Sequence, residues 1–395
     1  MKIYEYIREE NEKTAKLFGF TIMSKSYDYM AGEKYQSFLG GLITTVKLDA
    51  SAERSKKDIK LLGHSITQRI EENNFINYYF LNKKYRSVSL INAFKKQYFK
   101  YFDNRHDDIY ILRANSGEIY LTLTYVINYL IKKNNSKRPL LAATQKYHVD
   151  MIKMICPDIP YVYIGNFRIN IVDDIFKINN FRFFMLYSST YFKQTFIELK
   201  SNELGKWHYF RSILNRLNMT ENDIEMNEAH VLPEAEKSML EKINKTGLNL
   251  DKFVFLAPEA QTFKLYDENF WCLLINKFQD NGYDVYVNLV EDDIKLKGAI
   301  DYKKCDLSFA EVFALAKRAK KIVSLRSGFT EFLLQTGTPM DVLYTKTRNN
   351  HDSSYHIMSG CTLSELPFAD KTKIREFNMF EVSQIDCLNQ IITIL

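Results

Sequence analysis

The sequence predicts an α/β protein: two Rossmann-like domains facing across a cleft, with a helical N-terminal accessory segment. Three observations predict it. From residue 108 onward, short apolar runs (IYIL at 109–112, LLA at 140–142, YVYI at 161–164) alternate with segments of helical spacing, the pattern of strands covered by helices. A second series follows: FVFLA at 253–257, a helix over 271–279, a strand over 285–290, a helix over 309–319, then IVS at 322–324 and MDVLY at 340–344. Residues 1–105 carry neither pattern. The expected boundaries are therefore 1–105 for the accessory segment, 106–235 for the first α/β domain and 236–395 for the second.

The accessory segment reads as helical. Ile3, Tyr6 and Ile7, then Leu61, Leu62, Ile66 and Ile70, then Phe75, Tyr78, Tyr79, Tyr85, Phe94, Tyr98 and Phe102, suggest an apolar and aromatic stripe among lysines. In the first domain, a turn at Arg113-Ala114-Asn115-Ser116-Gly117-Glu118 follows strand 109–112. It lies where open α/β sheets place their ligands. With a single glycine it is not the dinucleotide fingerprint. Pro233 with Glu234 and Glu236 opens a helix, since proline suits the first turn and acids favour its positive end. Ser308 and Glu311 form a capping box.

The stretch 320–344, KKIVSLRSGFTEFLLQTGTPMDVLY, is a strand, a glycine turn and a helix. Backbone amides at such a helix start can receive phosphate, and Arg326 adds a forked cation. The plainer reading is that Gly328 only makes the turn.

Composition narrows the function. With 46% hydrophobic and 26% charged residues, 395 residues build ample core for two domains. A net charge of +6 spread along the chain argues against a nucleic-acid partner, whose binders cluster their charge. It allows peripheral association with an anionic membrane. The five cysteines form no CxxC pair, which excludes a metal knuckle or disulfide framework and fits a cytoplasmic protein, placed at most on the inner face of the membrane. The histidines show no metal-ligand spacing, so no metal is expected.

Two pieces of the text, ILRANSGEIYLTLTYVINYL and FVFLAPEAQTFKLYDENFWCLL with LSFAEVFALAKRAKKIVSLRSGFTEFLLQTGTPMDVLYT, resemble the GT-B glycosyltransferases of the heptosyltransferase-like, family 9-like group. The resemblance covers 108–345. It departs from the group at Arg326, where an Asp is usual, at Phe329, Thr330 and Glu331, where a histidine has no counterpart, and at Ser116-Gly117, where a glycine pair is reduced. It implies a metal-independent transferase, without cofactor, that moves a sugar from a nucleotide-sugar donor to a glycan or lipid-linked acceptor of the cell surface, such as capsule, lipooligosaccharide or exopolysaccharide.

Under that reading Glu118 is the catalytic base, with Arg113, Asn115, Ser116 and Gly117 on the acceptor side. The donor falls to Pro258, Glu259, Ala260, Lys264, Arg326, Ser327, Gly328, Phe329, Thr330 and Glu331. Glu118 and Glu331 also read simply as acids complementing a helix start, and Lys264 as a solvated loop lysine. Two alternatives stand beside it: a GT-A-like, metal-dependent transferase using Asp292 and Asp293, and a non-catalytic scaffold of a glycan assembly complex. The sugar, the acceptor and the oligomeric state are left open.

Overall fold

The computed structural model describes residues 4–8, 12–18, 20–28, 33–48, 54–166, 169, 171, 175–186, 208–260, 267–289, 296, 298–299, 301–345, 360–367 and 369–393. The chain divides into two compact units, one of residues 1–111 with 166–194, the other of 112–165 with 195–395.

The first unit corrects the expectation of a helical accessory segment. Among the described residues, those up to Ser89 form nine strands: β1 (Tyr4–Arg8), β2 (Glu12–Leu17), β3 (Phe20–Asp28), β4 (Glu33–Phe38), β5 (Ile43–Leu48), β6 (Arg54–Leu61), β7 (His64–Glu72), β8 (Phe75–Phe80) and β9 (Lys83–Ser89). They run as one antiparallel meander in sequence order. Of the stripe read as helical, Tyr6 to Tyr85 fall on these strands and their tight turns, and Phe94 and Tyr98 fall on a helix as expected. Asn73 and Asn74, both at positive φ (49° and 61°), join β7 to β8, as the primed turns of short hairpins require. At Phe18, Leu39, Leu62 and Leu81 the same left-handed backbone carries a bulky apolar residue, with φ of 50°, 51°, 50° and 45°.

Among the described residues a 3-10 turn (Leu39–Gly41) lies between β4 and β5, and the first α-helix, α1 (Leu90–Tyr98), capped by Ser89, follows the meander. Its Phe94 packs edge-on against Phe176 and Phe183, with centroids 5.2 and 5.0 Å away. The buried Asp108 is gripped by Arg182 through both carboxylate oxygens.

A five-stranded sheet runs in the order β12-β11-β10-β14-β13, made of β10 (Asp108–Leu112), β11 (Pro139–Ala143), β12 (Tyr161–Tyr163), β13 (Ile175–Ile178) and β14 (Phe181–Leu186). β11 and β12 are parallel and β13 and β14 antiparallel. β10 leads into α2 (Ser116–Leu121), a single π turn (Thr122–Val126) and α3 (Ile127–Lys133), and β11 leads into α4 (Lys146–Ile155).

The second unit also contains α5 (Tyr209–Arg216) and α6 (Pro233–Asn244), the latter with proline in its first turn as expected. It is completed by an all-parallel sheet in the order β16-β15-β17-β18-β19. Its strands are β15 (Phe253–Ala257), β16 (Asp284–Val287), β17 (Lys321–Leu325), β18 (Met340–Tyr344) and β19 (Ile374–Asn378), with helices α7 (Glu268–Asp280), α8 (Phe309–Ala316), α9 (Gly328–Leu333) and α10 (Gln384–Ile392). β15, β17 and β18 are buried along their whole length, which is why β15 reads as a continuous apolar run, with Lys321, Ser324 and Asp341 as buried polar positions in the other two. Trp271, Phe270 and Phe278 of α7 and Cys387, Leu388 and Ile391 of α10 join them in one core. The capping box at Ser308 and Glu311 forms as expected. Numbered from β15, the strand order is 2-1-3-4-5, so its topological switch point lies between β15 and β17. The segments after those two strands are 258–260 and 326–328.

Candidate active site

Two strand-to-helix turns meet in the second unit. At the first, Ala114 is fixed from α4: its carbonyl accepts from the Tyr147 hydroxyl at 3.2 Å and lies 3.2 Å from His148 Nε2. Thr144 Oγ1 donates to the Leu112 carbonyl at 2.7 Å. His148 is wholly buried, and burial pulls its pKa down to about 4, so the ring is neutral near pH 7. Its partner Tyr147 is pushed up to about 12, by burial first and then by the charge of Glu118. Neither residue carried a sequence signal as part of the site.

At the second turn, Ser327 caps α9 through its side chain. Its own N–H donates to Thr330 Oγ1 at 3.1 Å, the Thr330 N–H reaches Ser327 Oγ at 3.2 Å, and the Glu331 N–H bonds the Ser327 carbonyl at 3.4 Å. Arg326 is only 5% exposed. Its Nε donates to the Cys361 carbonyl at 2.9 Å, Nη1 to the Ser327 carbonyl at 2.7 Å, and Nη2 to Glu331 Oε1 at 2.6 Å. Tyr209 of α5 donates its hydroxyl to the same Glu331 oxygen and sets its ring 5.7 Å from the guanidinium. Burial works against the Arg326 charge, and the Glu331 carboxylate outweighs it.

This corrects the reading of Arg326 as an open cation for a diphosphate. The guanidinium is spent on internal acceptors, and the amides of Ser327, Thr330 and Glu331 are paired within the turn. Neither Tyr209 nor the Cys361 carbonyl could have been found from sequence, since a distant backbone oxygen leaves no mark in it.

The two turns touch through glycine. A Cβ on Gly328 would lie 2.5 Å from the Gly117 nitrogen, and one on Gly117 would lie 2.5 Å from Glu331 Oε2 and 2.6 Å from the Gly328 Cα. No side chain fits there. Behind them Gln335 Nε2 donates to Thr124 Oγ1 and to the Asn227 carbonyl, both at 3.2 Å. α2 and α9 are thus fastened together.

Glu118 stands beside this contact, partly buried in the first turn of α2. Among the described residues it makes no ion pair. Its pKa is pushed up to about 7, by burial first and then by the negative charge of Glu331, while its backbone hydrogen bond and Arg326 pull the other way. A carboxyl poised there is half ionised near neutrality, as a general base requires.

The structure therefore brings Glu118, Gly117, Arg326, Gly328 and Glu331 together. Asn115, exposed, and Ser116, half-buried, lie at the same turn, and Arg113 just precedes it. Thr330 is buried in the cap of α9, and Phe329 packs on Phe309 at 5.6 Å. Pro258, Glu259 and Ala260 follow β15, at the switch point of the parallel sheet. Lys264, Asp292 and Asp293 lie outside the described residues.

No protein-family model matches the sequence, and no curated protein matches it. Solved structures similar in shape include the glycosyl transferase family 9 protein from Veillonella parvula DSM 2008, at 10% identity and a TM-score of 0.44 over 60% of this chain and 80% of that one. Another is the ADP-heptose lps heptosyltransferase II of E. coli, at 10% identity and a TM-score of 0.43 over 72% and 97%. A third is the iron-containing dodecameric glycosyltransferase TibC from enterotoxigenic E. coli H10407, at 14% identity and a TM-score of 0.38 over 73% and 67%. Likeness at this level decides nothing about activity, which has to be argued from the residues.

Proposed function

We propose that the protein is a glycosyltransferase that moves a sugar from a nucleotide-sugar donor to a cell-surface glycan or lipid-linked acceptor, without a metal ion. Glu118 carries the reading: a half-buried carboxyl at a strand-end turn, held near pKa 7 by its surroundings. It removes the proton of the acceptor hydroxyl as that oxygen attacks the anomeric carbon and the nucleoside diphosphate leaves. The donor lies at the carboxyl ends of β15 and β17, against Pro258, Glu259 and Ala260, where an open α/β sheet binds its ligand. Arg326 acts from behind as a positioning residue. It fixes Glu331, which after burial is the second cause that raises the Glu118 pKa, and it does not touch the diphosphate.

The test is a titration of the protein with a panel of nucleotides and nucleotide-sugars, followed by donor turnover. Micromolar binding of one nucleotide is expected, with turnover unchanged by EDTA. Glu118→Gln should lower kcat by about 10²–10⁴ at unchanged donor affinity. Absence of binding to every nucleotide would remove the proposal.

A second reading, a non-catalytic scaffold, draws on the closed Gly117–Gly328 contact and the committed Arg326. It expects no nucleotide binding and no effect of Glu118→Gln.

A further inference from the structure

The nine-stranded meander has two unlike ends. In an antiparallel meander alternate turns lie at the same end, so the β2–β3, β4–β5, β6–β7 and β8–β9 turns share one. Each of these four turns carries a bulky apolar residue at positive φ: Phe18, Leu39, Leu62 and Leu81, which are 52, 62, 69 and 55% exposed. Such side chains rarely adopt that backbone. Asn73 and Asn74, in a turn at the other end, show what the fold itself would choose.

The sequence repeats the device as LFGF, FLGG, LLGH and FLNK, at 17–20, 38–41, 61–64 and 80–83. The flanks agree with it, since Phe20, Leu42, Leu61 and Phe80 are also exposed. Charge divides the same way. Within three residues of these turns stand Lys16, Lys60, Lys83, Lys84 and Arg86, with Asp58 the one acid. At the opposite end the strand termini mix both signs, Glu12, Asp28, Glu33, Glu71 and Glu72 standing with Arg8, Lys13, Lys34, Lys47 and Arg54, whereas the end with the apolar tips is net basic.

We propose that this end of the meander docks on an anionic lipid bilayer, with the four apolar tips entering the headgroup region and the lysines meeting the lipid phosphates. Successive tips are two strands apart, roughly 10 Å, so they form a row that meets a flat acceptor rather than a groove that clasps a peptide. Apolar insertion combined with basic flanks is the chemistry of reversible interfacial binding. The inference is independent of the transferase reading.

The full chain is tested by flotation with phosphatidylglycerol-containing vesicles against phosphatidylcholine vesicles, beside the quadruple variant Phe18→Asn, Leu39→Asn, Leu62→Asn and Leu81→Asn. Asparagine tolerates the left-handed backbone, so the variant should melt no lower than the parent. It should lose about tenfold or more of its vesicle-bound fraction. Lys83→Glu with Lys84→Glu leaves the apolar tips in place and gives an independent reading, a fall of about tenfold on anionic vesicles only. Failure of the parent to float with anionic vesicles overturns the proposal, as does unchanged flotation of either variant. So does a parent oligomer that the asparagine variant dissolves while vesicle binding stays the same, which would assign the tips to a second copy of the chain.

Discussion

Two turns of similar make, residues 115–118 after β10 and 326–331 after β17, treat their acids in opposite ways. Each follows a strand of a five-stranded sheet, and each has a Ser-Gly step and a glutamate in the first turn of a short helix. Glu331 is buried and receives Arg326 and Tyr209 on one oxygen. Glu118 has no such cation and is left with a pKa of about 7. One acid is made permanent structure, while burial first and then the charge of that acid raise the pKa of the other. A motif of this kind therefore says nothing about chemistry until its counter-charge is located.

The comparison can be broken at the ion pair. Arg326→Ala strands the Glu331 carboxylate in the interior and should cost about 3–5 kcal/mol in denaturant unfolding, whereas removing both charges with Arg326→Met and Glu331→Leu should cost much less. A single variant no worse than the double would show that the pair is not what holds this junction. The glycine contact comes next. Gly328→Ala sets a methyl against the Gly117 backbone and should cost about 1–3 kcal/mol, measured as a shift in the urea midpoint.

The smallest effect reads Glu118 directly. Its folded pKa lies above the ordinary 4.5, at about 7, so between those values the folded chain holds a proton that the unfolded chain has lost. That contribution is complete below pH 4.5 and is lost as pH rises through about 7. Relative to Glu118→Gln, the parent should lose on the order of 2 kcal/mol across the window, solvent access reducing the full linkage value. A pH-independent difference between the two proteins would place the Glu118 pKa at its ordinary value.

The α/β portion was legible because its central strands are buried on both faces. FVFLA and MDVLY leave no other reading between helical segments, and Pro233 and Ser308 announce their helices. The meander was not, because its aromatic positions also fall at helical spacing and its turns defeat the usual punctuation. Phe18, Leu39, Leu62 and Leu81 occupy positions where turn chemistry expects Gly or Asn. The site was half legible. The residues that meet were named, but Arg326 looked available because its acceptors come from remote segments. Only the fold brings Tyr209 and Cys361 to it.

The π turn at Thr122–Val126 directly follows the helix that carries Glu118. One surplus residue in that coil offsets Ser116–Leu121 against Ile127–Lys133, and deleting a residue there would let the winding become regular. Since each helical residue turns the chain by about 100°, the carboxyl would swing from Glu331 toward another compass point. A whole-sequence alignment that closes a one-residue gap in this segment would thus erase that offset.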